Sequence, residues 1–300
     1  MRLMELTIAF KNFFIPIYRL FPTKSRKNLK YLYYDKIIYP LYKIKYIYTY
    51  GRSSFFDHIS IETTTYCNLR CQSCPNSKYE RGLLKNRKLM DINIFKKIID
   101  DLASVNYSGE TYFHFYGEPL SDERLPELVE YATKKLPNSK VGINSNGFLM
   151  TLPLYHKLLK AGIKGILITE YNGVMPPAIK DLLDYLKNHP EIENKISYRR
   201  LIDSGLSNRG GEMNIKDPLD FSKPVCTYPQ GEVNIDYAGN VVLCSNDYHS
   251  SLVFGNVKDK NLVAIWDSPY YKKIRREVRK GIFNLPICKR CVGISEGVKK

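Results

Sequence analysis

The chain has 300 residues, enough for one large domain or two smaller ones with a sizeable core. Its composition, 44% hydrophobic and 25% charged, is typical of a globular protein, and no apolar run of about 18 residues predicts a membrane-spanning helix. The net charge of +16 favours an anionic partner such as phosphate, nucleic acid or a membrane face, although solubility alone would also explain it.

The N-terminal segment, residues 1–52, is the most basic part of the chain. It carries eleven Lys and Arg against Glu5 and Asp35, and residues 31–50 contain eight tyrosines interleaved with Lys and Ile. Such a stretch can lie on a membrane surface, or its rings can pack on the main domain while its lysines stay in water. Its start has neither a clean apolar core nor a small-residue cleavage site, so we expect no signal or transit peptide.

Strand and helix patterns alternate five times between residues 57 and 202. Each strand pattern is followed by an amphipathic helix pattern, and Asp91 is the expected N-cap of the first helix. The expected strands, together with the turns that end them, lie at 58–64, 111–119, 140–147, 165–173 and 196–202, and the helices at 90–106, 124–136, 152–162 and 176–190. This alternation predicts an α/β fold whose parallel strands form an open barrel segment or a doubly wound sheet.

In both arrangements the functional site lies at the C-terminal ends of the strands. Four segments fall at those ends: the cysteine loop after the first strand and the turns YGEP, NSNG and EYNG after the next three. We therefore expect these segments to meet.

Beyond residue 203 the pattern changes. A Gly, Ser, Asp and Pro-rich stretch predicts a loop or linker, and EVNIDYAGNVVLC predicts a β-hairpin. SPYYKKIRREVRKG predicts a helix with Ser268 at its N-cap. The expected organisation is an N-terminal extension (1–52), a core domain (53–220) and a small C-terminal domain (221–300).

Three cysteines, Cys67, Cys71 and Cys74, fall within eight positions with C-x3-C-x2-C spacing. Without export, thiols stay reduced, so the cysteines are candidate metal ligands rather than disulfide partners. Structural zinc and simple iron–sulfur sites normally use four thiolates. Three thiolates can hold three irons of a [4Fe–4S] cube and leave the fourth iron open. His58 precedes the loop on a strand and is a poor fourth ligand.

The motif CNLRCQSCP resembles that of the radical S-adenosylmethionine (SAM) superfamily, YGEP at 116–119 its Gly-Gly-Glu-Pro motif, and INSNG at 143–147 its third-strand motif. The resemblance covers residues 57–202 and implies a partial (β/α)6 barrel. It also implies that a reduced cluster and SAM generate a 5′-deoxyadenosyl radical.

The resemblance also assigns site residues. Cys67, Cys71 and Cys74 are expected to hold the cluster; Gly117 and Glu118 to receive the SAM ammonium group; Asn144 and Ser145 its ribose or carboxylate; and Arg199 its carboxylate.

Other roles remain open for several of these residues. Ser73 replaces the aromatic residue that usually precedes the third cysteine, and Tyr66 or Tyr79 is the candidate replacement. Glu118 can instead face a helix N-terminus, the segment from Asn144 can be only a turn, and Arg199 can be a surface ion-pairing residue.

The other four cysteines lie in the C-terminal segment. Cys226 and Cys244 bracket the expected hairpin, while Cys288 and Cys291 form a C-x2-C pair, so spacing alone favours zinc. The surrounding sequence resembles the SPASM or twitch extension of radical SAM proteins, which implies one auxiliary [4Fe–4S] cluster held by all four.

A fully ligated cluster favours a redox role and a net two-electron oxidation. The expected substrate is a sugar, cyclitol or nucleotide-linked sugar, with a peptide-modifying maturase as the alternative and a zinc-stabilised nucleic-acid-binding protein as the non-enzyme alternative. The catalytic base is not identified; His114, His249 or an Arg are candidates. An electron donor such as flavodoxin or ferredoxin is expected, with a cytoplasmic location and membrane-surface contact through the N-terminal segment as a further option.

Overall fold

The computed structural model describes residues 34–171, 173–201, 207–214 and 226–294. It contains eight strands and eight α-helices within these ranges. The strands are β1 His58–Ile61, β2 Glu110–Phe113, β3 Lys140–Ser145, β4 Gly165–Glu170, β5 Ile196–Arg200, β6 Glu232–Ile235, β7 Asn240–Val242 and β8 Val253–Asn256. The helices are α1 Tyr39–Tyr50, α2 Ile92–Ala103, α3 Leu125–Lys135, α4 Leu152–Lys160, α5 Pro177–Asn188, α6 Leu262–Trp266, α7 Pro269–Arg279 and α8 Pro286–Cys291.

All eight strands form one sheet in the order β5-β4-β3-β2-β1-β6-β7-β8. Strands β1 to β5 are parallel, which confirms the α/β class. The sixth parallel strand is β6, which pairs with β1 on the side away from β2. The predicted hairpin is confirmed as β6 and β7, so the C-terminal segment extends the sheet of the core. The predicted domain boundary at 220/221 lies outside the described residues.

One face of the sheet packs on the helices and forms the main apolar core. Helix α2 begins after Asp91, whose side chain accepts a hydrogen bond from Asn93 N at 2.7 Å, as the sequence predicts. Its buried stripe includes Ile94, Phe95 and Ile98. These side chains pack on outward-facing strand residues because alternate residues of a strand point to opposite faces.

The other face of the sheet is the lumen of the partial barrel, and it is polar. His58 and Ser60 on β1, Tyr112 on β2, Asn144 on β3 and Asn234 on β6 point to this face, since their strand neighbours lie in the core. A packed structural barrel is normally filled by branched apolar side chains. The polar lumen therefore indicates a ligand site.

The N-terminal helix α1 packs on the core domain through its tyrosines. Tyr46 is buried, and its hydroxyl donates to Asp57 at 3.0 Å beside the ion pair of Lys45 with Asp57 at 2.7 Å. This bears out the expectation that rings pack on the main domain. The opposite side of α1 exposes Ile44, Ile47 and Tyr48. No helix within the described ranges is both long and apolar enough to cross a membrane.

Candidate active site

The loop that follows β1 brings the first three cysteines together. The amide of Cys74 donates to the carbonyl of Cys71 at 2.9 Å, and that of Cys67 to the Gly82 carbonyl at 3.1 Å. Arg70 donates to the carbonyls of Cys67 and Gly82, both at 2.8 Å, and so closes the loop. None of the three thiols is in a disulfide.

The thiols of this loop are chemically suited to iron. Burial raises the pKa of Cys67 to about 12 and that of Cys71 to about 11, with neighbouring thiols contributing in the same direction. The raised pKa values favour the protonated thiols, and a positive metal centre reverses this preference because metal ligation stabilises the thiolate. Three sulfurs on one short loop therefore fit an iron–sulfur cluster, and loading it would release protons.

Glu118 lies at the end of β2 and points toward the end of β3. Its carboxylate accepts hydrogen bonds from Ser145 Oγ at 2.6 Å, Asn146 N at 2.9 Å and Leu120 N at 3.0 Å. Burial raises the pKa of Glu118, and these three bonds oppose the shift. A carboxylate has about four acceptor positions, so one remains for a ligand.

The preceding residue, Gly117, is required by close packing. A Cβ at this position would overlap the Thr64 carbonyl oxygen of the β1 loop. The absence of a side chain therefore lets the β2 turn lie against the cysteine loop, where Glu118 N donates to the Tyr66 carbonyl at 2.7 Å. The predicted meeting of the first two strand-end segments is confirmed.

The end of β3 contributes three polar residues with different roles. Ser145 is occupied by Glu118 and by Gly147 N, whereas Asn144 faces the lumen and bonds His114 Nε2 at 3.2 Å. The sequence interpretation missed Asn146, whose amide donates to Asn68 at 2.8 Å and lies 3.9 Å from the Cys67 sulfur. Asn146 lies inside the motif INSNG, so the motif contains the residue but does not show which way its side chain points.

Two arginines are close to the lumen. Arg199 on β5 is exposed and donates through Nε to Thr169 Oγ1 at 3.0 Å. Arg209 was missed, because its stretch of sequence was interpreted as a loop or linker. It lies in a short 3-10 turn, Arg209–Gly211, and its guanidinium is near Tyr116, Cys74 and Tyr171.

The Arg209 turn packs on α8. Asn208 Nδ2 donates to the Arg290 carbonyl at 3.1 Å, and Arg290 Nε donates to the Gly210 carbonyl at 3.2 Å. The described part of the expected linker, residues 207–214, is therefore docked on the C-terminal segment. Gly210 and Gly211 adopt positive φ, which glycine does at little steric cost, and this allows the tight turn to form.

The candidate bases occupy different environments. His114 is in the lumen, and burial lowers its pKa to about 3. His249 is half exposed and lies 3.5 Å from Glu212. Tyr79, a candidate shield for the first cysteine set, stacks on Tyr248 and donates to Glu212 at 2.6 Å.

The other four cysteines surround a separate cavity of about 240 Å³. Cys226 precedes β6, Cys244 follows β7, and the last two lie on α8, so the predicted knuckle is helical. Burial raises the pKa of Cys226 and of Cys288 to about 12. The walls between the thiols are largely apolar, with Leu243, Val278, Phe283 and Ile287.

Two family models match the chain in the regions that contain these sites. The Radical SAM superfamily model matches residues 61–169, and the model of SPASM, an iron–sulfur cluster-binding domain, matches residues 226–292. This chain belongs to the radical SAM superfamily. SAM and iron–sulfur clusters are accordingly its cofactors.

Relatives of this radical SAM enzyme include a dehydrogenase. This chain is 28% identical over 241 residues to S-adenosyl-L-methionine-dependent 2-deoxy-scyllo-inosamine dehydrogenase of Niallia circulans. The match covers 80% of this chain and 94% of the relative. It is 24% identical over 318 residues to the tungsten-containing aldehyde ferredoxin oxidoreductase cofactor-modifying protein of Pyrococcus furiosus, covering 78% and 86%.

The crystal structure of BtrN in complex with AdoMet and 2-DOIA resembles the radical SAM enzyme with a TM-score of 0.70. The identity is 28%, and the match covers 79% of this chain and 92% of BtrN. An open conformation of BtrN gives a TM-score of 0.60 at 25% identity, with the same coverage.

Proposed function

We propose that this radical SAM enzyme oxidises a hydroxylated small molecule, namely a sugar, cyclitol or nucleotide-linked sugar, by removing a hydrogen atom from one of its carbons. The observation that carries the proposal is a polar lumen whose residues reach both cysteine sets. Tyr116 links them, since its hydroxyl donates to the Ser245 carbonyl next to Cys244 and its carbonyl accepts from Asn76 next to the first cysteine loop.

In this proposal the strand ends bind SAM beside the first cluster. Cys67, Cys71 and Cys74 hold three irons. The remaining acceptor of Glu118 and the Gly117 backbone receive the SAM ammonium group. When bound, the reduced cluster and SAM supply the 5′-deoxyadenosyl radical.

Further contacts to SAM complete this assignment. Asn144 faces the ribose through its Oδ1, which is buried without a partner in the described residues. Ser145 acts indirectly, by orienting Glu118 through their 2.6 Å hydrogen bond. Arg199 is assigned to the SAM carboxylate.

Arg209 is the residue best placed to hold an electron-rich group of the substrate. The lumen side chains near it include Tyr116, Tyr171 and His114. Burial lowers the pKa of Arg209, but Tyr116, Cys74 and Tyr171 more than offset this, so the pKa is raised above its ordinary value. Arginine stays protonated and presents five donors, so it can orient a hydroxyl or a phosphate. Neutral His114 lies nearby as a hydrogen-bonding group.

The second cysteine set is proposed to hold one auxiliary [4Fe–4S] cluster, which gives two clusters in total. Four thiols spread around a 240 Å³ cavity suit a polynuclear cluster better than one zinc ion. The apolar walls would exclude water and tune the redox potential.

The remaining partners are also proposals. A flavodoxin or ferredoxin would deliver electrons in a cytoplasmic setting, and the net charge of +16 suits an anionic substrate. The exposed Ile44, Ile47 and Tyr48 of α1, beside Lys43, suit contact with an anionic bilayer. Cosedimentation with phosphatidylserine vesicles should fall in an Ile44→Ser, Ile47→Ser double variant. Unchanged binding would contradict the proposed membrane contact through α1.

The function is tested by anaerobic purification and turnover. The protein should contain about eight irons and absorb broadly near ~400 nm, as two cubanes require. With a reductant and SAM it should form 5′-deoxyadenosine, and a deuterated 2-deoxy-scyllo-inosamine or sugar pool should transfer label to it. Label transferred only from peptides would overturn the substrate class, and a colourless zinc protein would overturn the proposal as a whole.

A further inference from the structure

Helices α7 and α8 form part of the wall of the four-cysteine cavity. Val278 of α7 lines the cavity, and its carbonyl accepts a hydrogen bond from the amide of Cys226 at 2.9 Å. Helix α8 carries Cys288 and Cys291. A helix with its side chains is about 10–12 Å across, so groups on the outer faces of α7 and α8 lie roughly one helix diameter from the thiols. An electron-carrying centre at this site would therefore be close to the protein surface.

The outer surface of these helices is strongly basic. Residues 269–294 contain eight Lys and Arg against the single acidic residue Glu277. Arg276 on α7 and Lys280 at its C-cap are exposed, on the side opposite the buried stripe of the helix. These two residues, and Lys289 on α8, have no ion-pair partner among the described residues. Their positive charge is therefore available to an anionic partner.

A small apolar group lies in the connection from α7 to α8, two residues after Lys280. Ile282 is 44% exposed, and the next residue, Phe283, lines the cavity. The amide of Ile282 donates to the Glu277 carbonyl at 2.9 Å, which holds Ile282 against the last turn of α7. Exposed apolar side chains within a charged rim are typical of protein-binding surfaces.

The proposed oxidation requires an electron acceptor outside the chain. Oxidation of a carbinol to a carbonyl removes two hydrogen atoms from the substrate. The 5′-deoxyadenosyl radical takes the first as a hydrogen atom. The second leaves as a proton, which is released to solvent, and as an electron, which the four-cysteine site is proposed to accept. That electron must pass to another molecule before the next turnover, so the site needs a partner that carries one electron.

We propose that Arg276, Lys280, Ile282, Phe283 and Lys289 form a docking surface, the α7–α8 surface, for an acidic one-electron carrier protein, namely an oxidised ferredoxin or flavodoxin. This inference rests on the proposed function and specifies where the electron leaves the enzyme. Charge complementarity steers such a carrier to the surface, and electron-transfer complexes need only a small interface.

The α7–α8 surface is poorly suited to a lipid bilayer. The exposed residues at 272–280 are all charged, so this face of α7 lacks the apolar stripe with which a helix enters the boundary between head groups and acyl chains. A folded acidic protein can instead pair with these charges at its rim and cover Ile282. The surface therefore favours a protein partner.

The test measures binding of a purified acidic [2Fe–2S] ferredoxin to the reconstituted enzyme by anaerobic calorimetry. The α7 double variant is Arg276→Glu, Lys280→Glu. Its matched control, the α4 double variant, is Lys157→Glu, Lys160→Glu, because both lysines are exposed near the end of α4 and the substitutions change the net charge by the same amount. Iron content and melting temperature show whether each variant is folded.

We expect the affinity for ferredoxin to fall on the order of tenfold or more in the α7 double variant and to change far less in the α4 double variant. Binding by the wild type should weaken as salt rises, because exposed charges are screened. When reduced enzyme freed of dithionite is mixed with oxidised ferredoxin, reduction of the ferredoxin should slow by a similar factor. Ile282→Ser keeps the charges, so it should weaken binding but retain the salt dependence.

Three outcomes would overturn the docking surface. Equal affinity of the two double variants would show that only the overall charge acts, and it would leave the proposed function standing. Loss of iron or a lower melting temperature in the α7 double variant, with ferredoxin binding unchanged in Ile282→Ser, would assign these charges a structural role. Binding to phosphatidylserine vesicles that is lost in the α7 double variant, without binding to ferredoxin, would assign the surface to a membrane.

Failure of the proposed function would be seen separately. The wild-type enzyme with dithionite and SAM should form 5′-deoxyadenosine without any carrier protein, because dithionite is a small reductant that needs no docking surface. Absence of 5′-deoxyadenosine under these conditions would refute the proposed function, whatever the affinity for ferredoxin.

Discussion

The two cysteine sets differ in the surfaces around them. The three-thiol set lies at strand ends beside Glu118, Asn146 and Asn68, which are polar and partly committed to one another. The four-thiol set surrounds a cavity with mainly apolar walls. A centre with three protein ligands and polar neighbours is suited to bind a cofactor, whereas a centre with four ligands and apolar neighbours is suited to transfer electrons. The number of thiols and the polarity around them thus indicate different tasks.

The largest expected effect separates these tasks directly. Cys71→Ser should abolish 5′-deoxyadenosine formation, whereas Cys288→Ser should retain it while losing the oxidised product. If the two proposed cubanes are present, each variant should lose about four irons of about eight, because each removes a proposed ligand of one cubane. Iron analysis and chromatography of the nucleoside measure both effects. Retained 5′-deoxyadenosine formation in Cys71→Ser would contradict the assignment of SAM cleavage to the three-thiol set.

A second prediction concerns a link between the two regions. Arg81 pairs with the buried carboxylate of Glu62 and donates to the Tyr248 carbonyl in the C-terminal segment. Arg81→Met should lower the free energy of unfolding by about 3 kcal/mol, because it leaves a buried carboxylate unpaired. Urea unfolding measures this loss, and Lys85→Met, which breaks only an exposed ion pair, is the control.

The pH dependence of the Arg81→Met effect has a defined sign. Burial raises the pKa of Glu62 above its ordinary value, and Arg81 opposes the shift. Removing Arg81 raises the folded-state pKa further, so the variant binds a proton in the folded state that the unfolded chain has released. Stability is therefore lost as pH rises through that pKa, and the deficit should be larger at pH ~8 than at pH ~5.5. An equal deficit at both values would contradict this account.

A third prediction tests the proposed role of Glu118 in binding SAM. Glu118→Gln should weaken SAM binding roughly tenfold or more, since hydrogen bonds to charged groups contribute about 1.5–3 kcal/mol. It should leave the iron content unchanged. Anaerobic calorimetry with SAM measures the loss, and Glu127→Gln on the surface of α3 is the control. Equal affinity in both variants would move the ammonium site elsewhere.

The smallest expected effect uses a feature that both sites share. The amide Nδ2 of Asn146 is 3.9 Å from the Cys67 sulfur, and that of Asn246 is 4.0 Å from the Cys291 sulfur. Replacing either residue with Ala should make the potential of its own cluster slightly more negative, since a donor favours the reduced, more negative state. Redox titration followed by electron paramagnetic resonance resolves the two. A shift in the potential of the cluster that is not next to the substituted residue would show that the two sites are coupled.

Much of the fold could be predicted because local patterns and tertiary structure agree. The strands and helices between residues 57 and 202, the caps Asp91 and Ser268, and the β6–β7 hairpin are all confirmed. Four elements, α1, β8, α6 and α8, were not predicted. The last three are four to six residues long, so they offer too few periods for a pattern to be distinguished.

The site was predictable where spacing carries the chemistry. The cysteine sets, Gly117 and Glu118 were named from the sequence. The structure places the first cysteine set, Gly117 and Glu118 on the expected strand-end loops, whereas Cys288 and Cys291 lie on helix α8. Arg209 and Asn146 were missed. An arginine in a glycine-rich loop, or an asparagine in a strand, has the same local pattern whether it faces solvent, another loop or a lumen.

The sequence by itself determined the cysteine spacing, the alternation of parallel strands with helices, and the turn motifs at the strand ends, because these depend on residues close together in the chain. Only the tertiary structure decided that β6 pairs with β1, that Arg209 reaches the lumen and that Asn234 is buried. Each of these depends on which distant segments share a sheet edge or a cavity. Sheet pairing between residues nearly 180 positions apart is selected by the burial of whole faces, which no local pattern specifies.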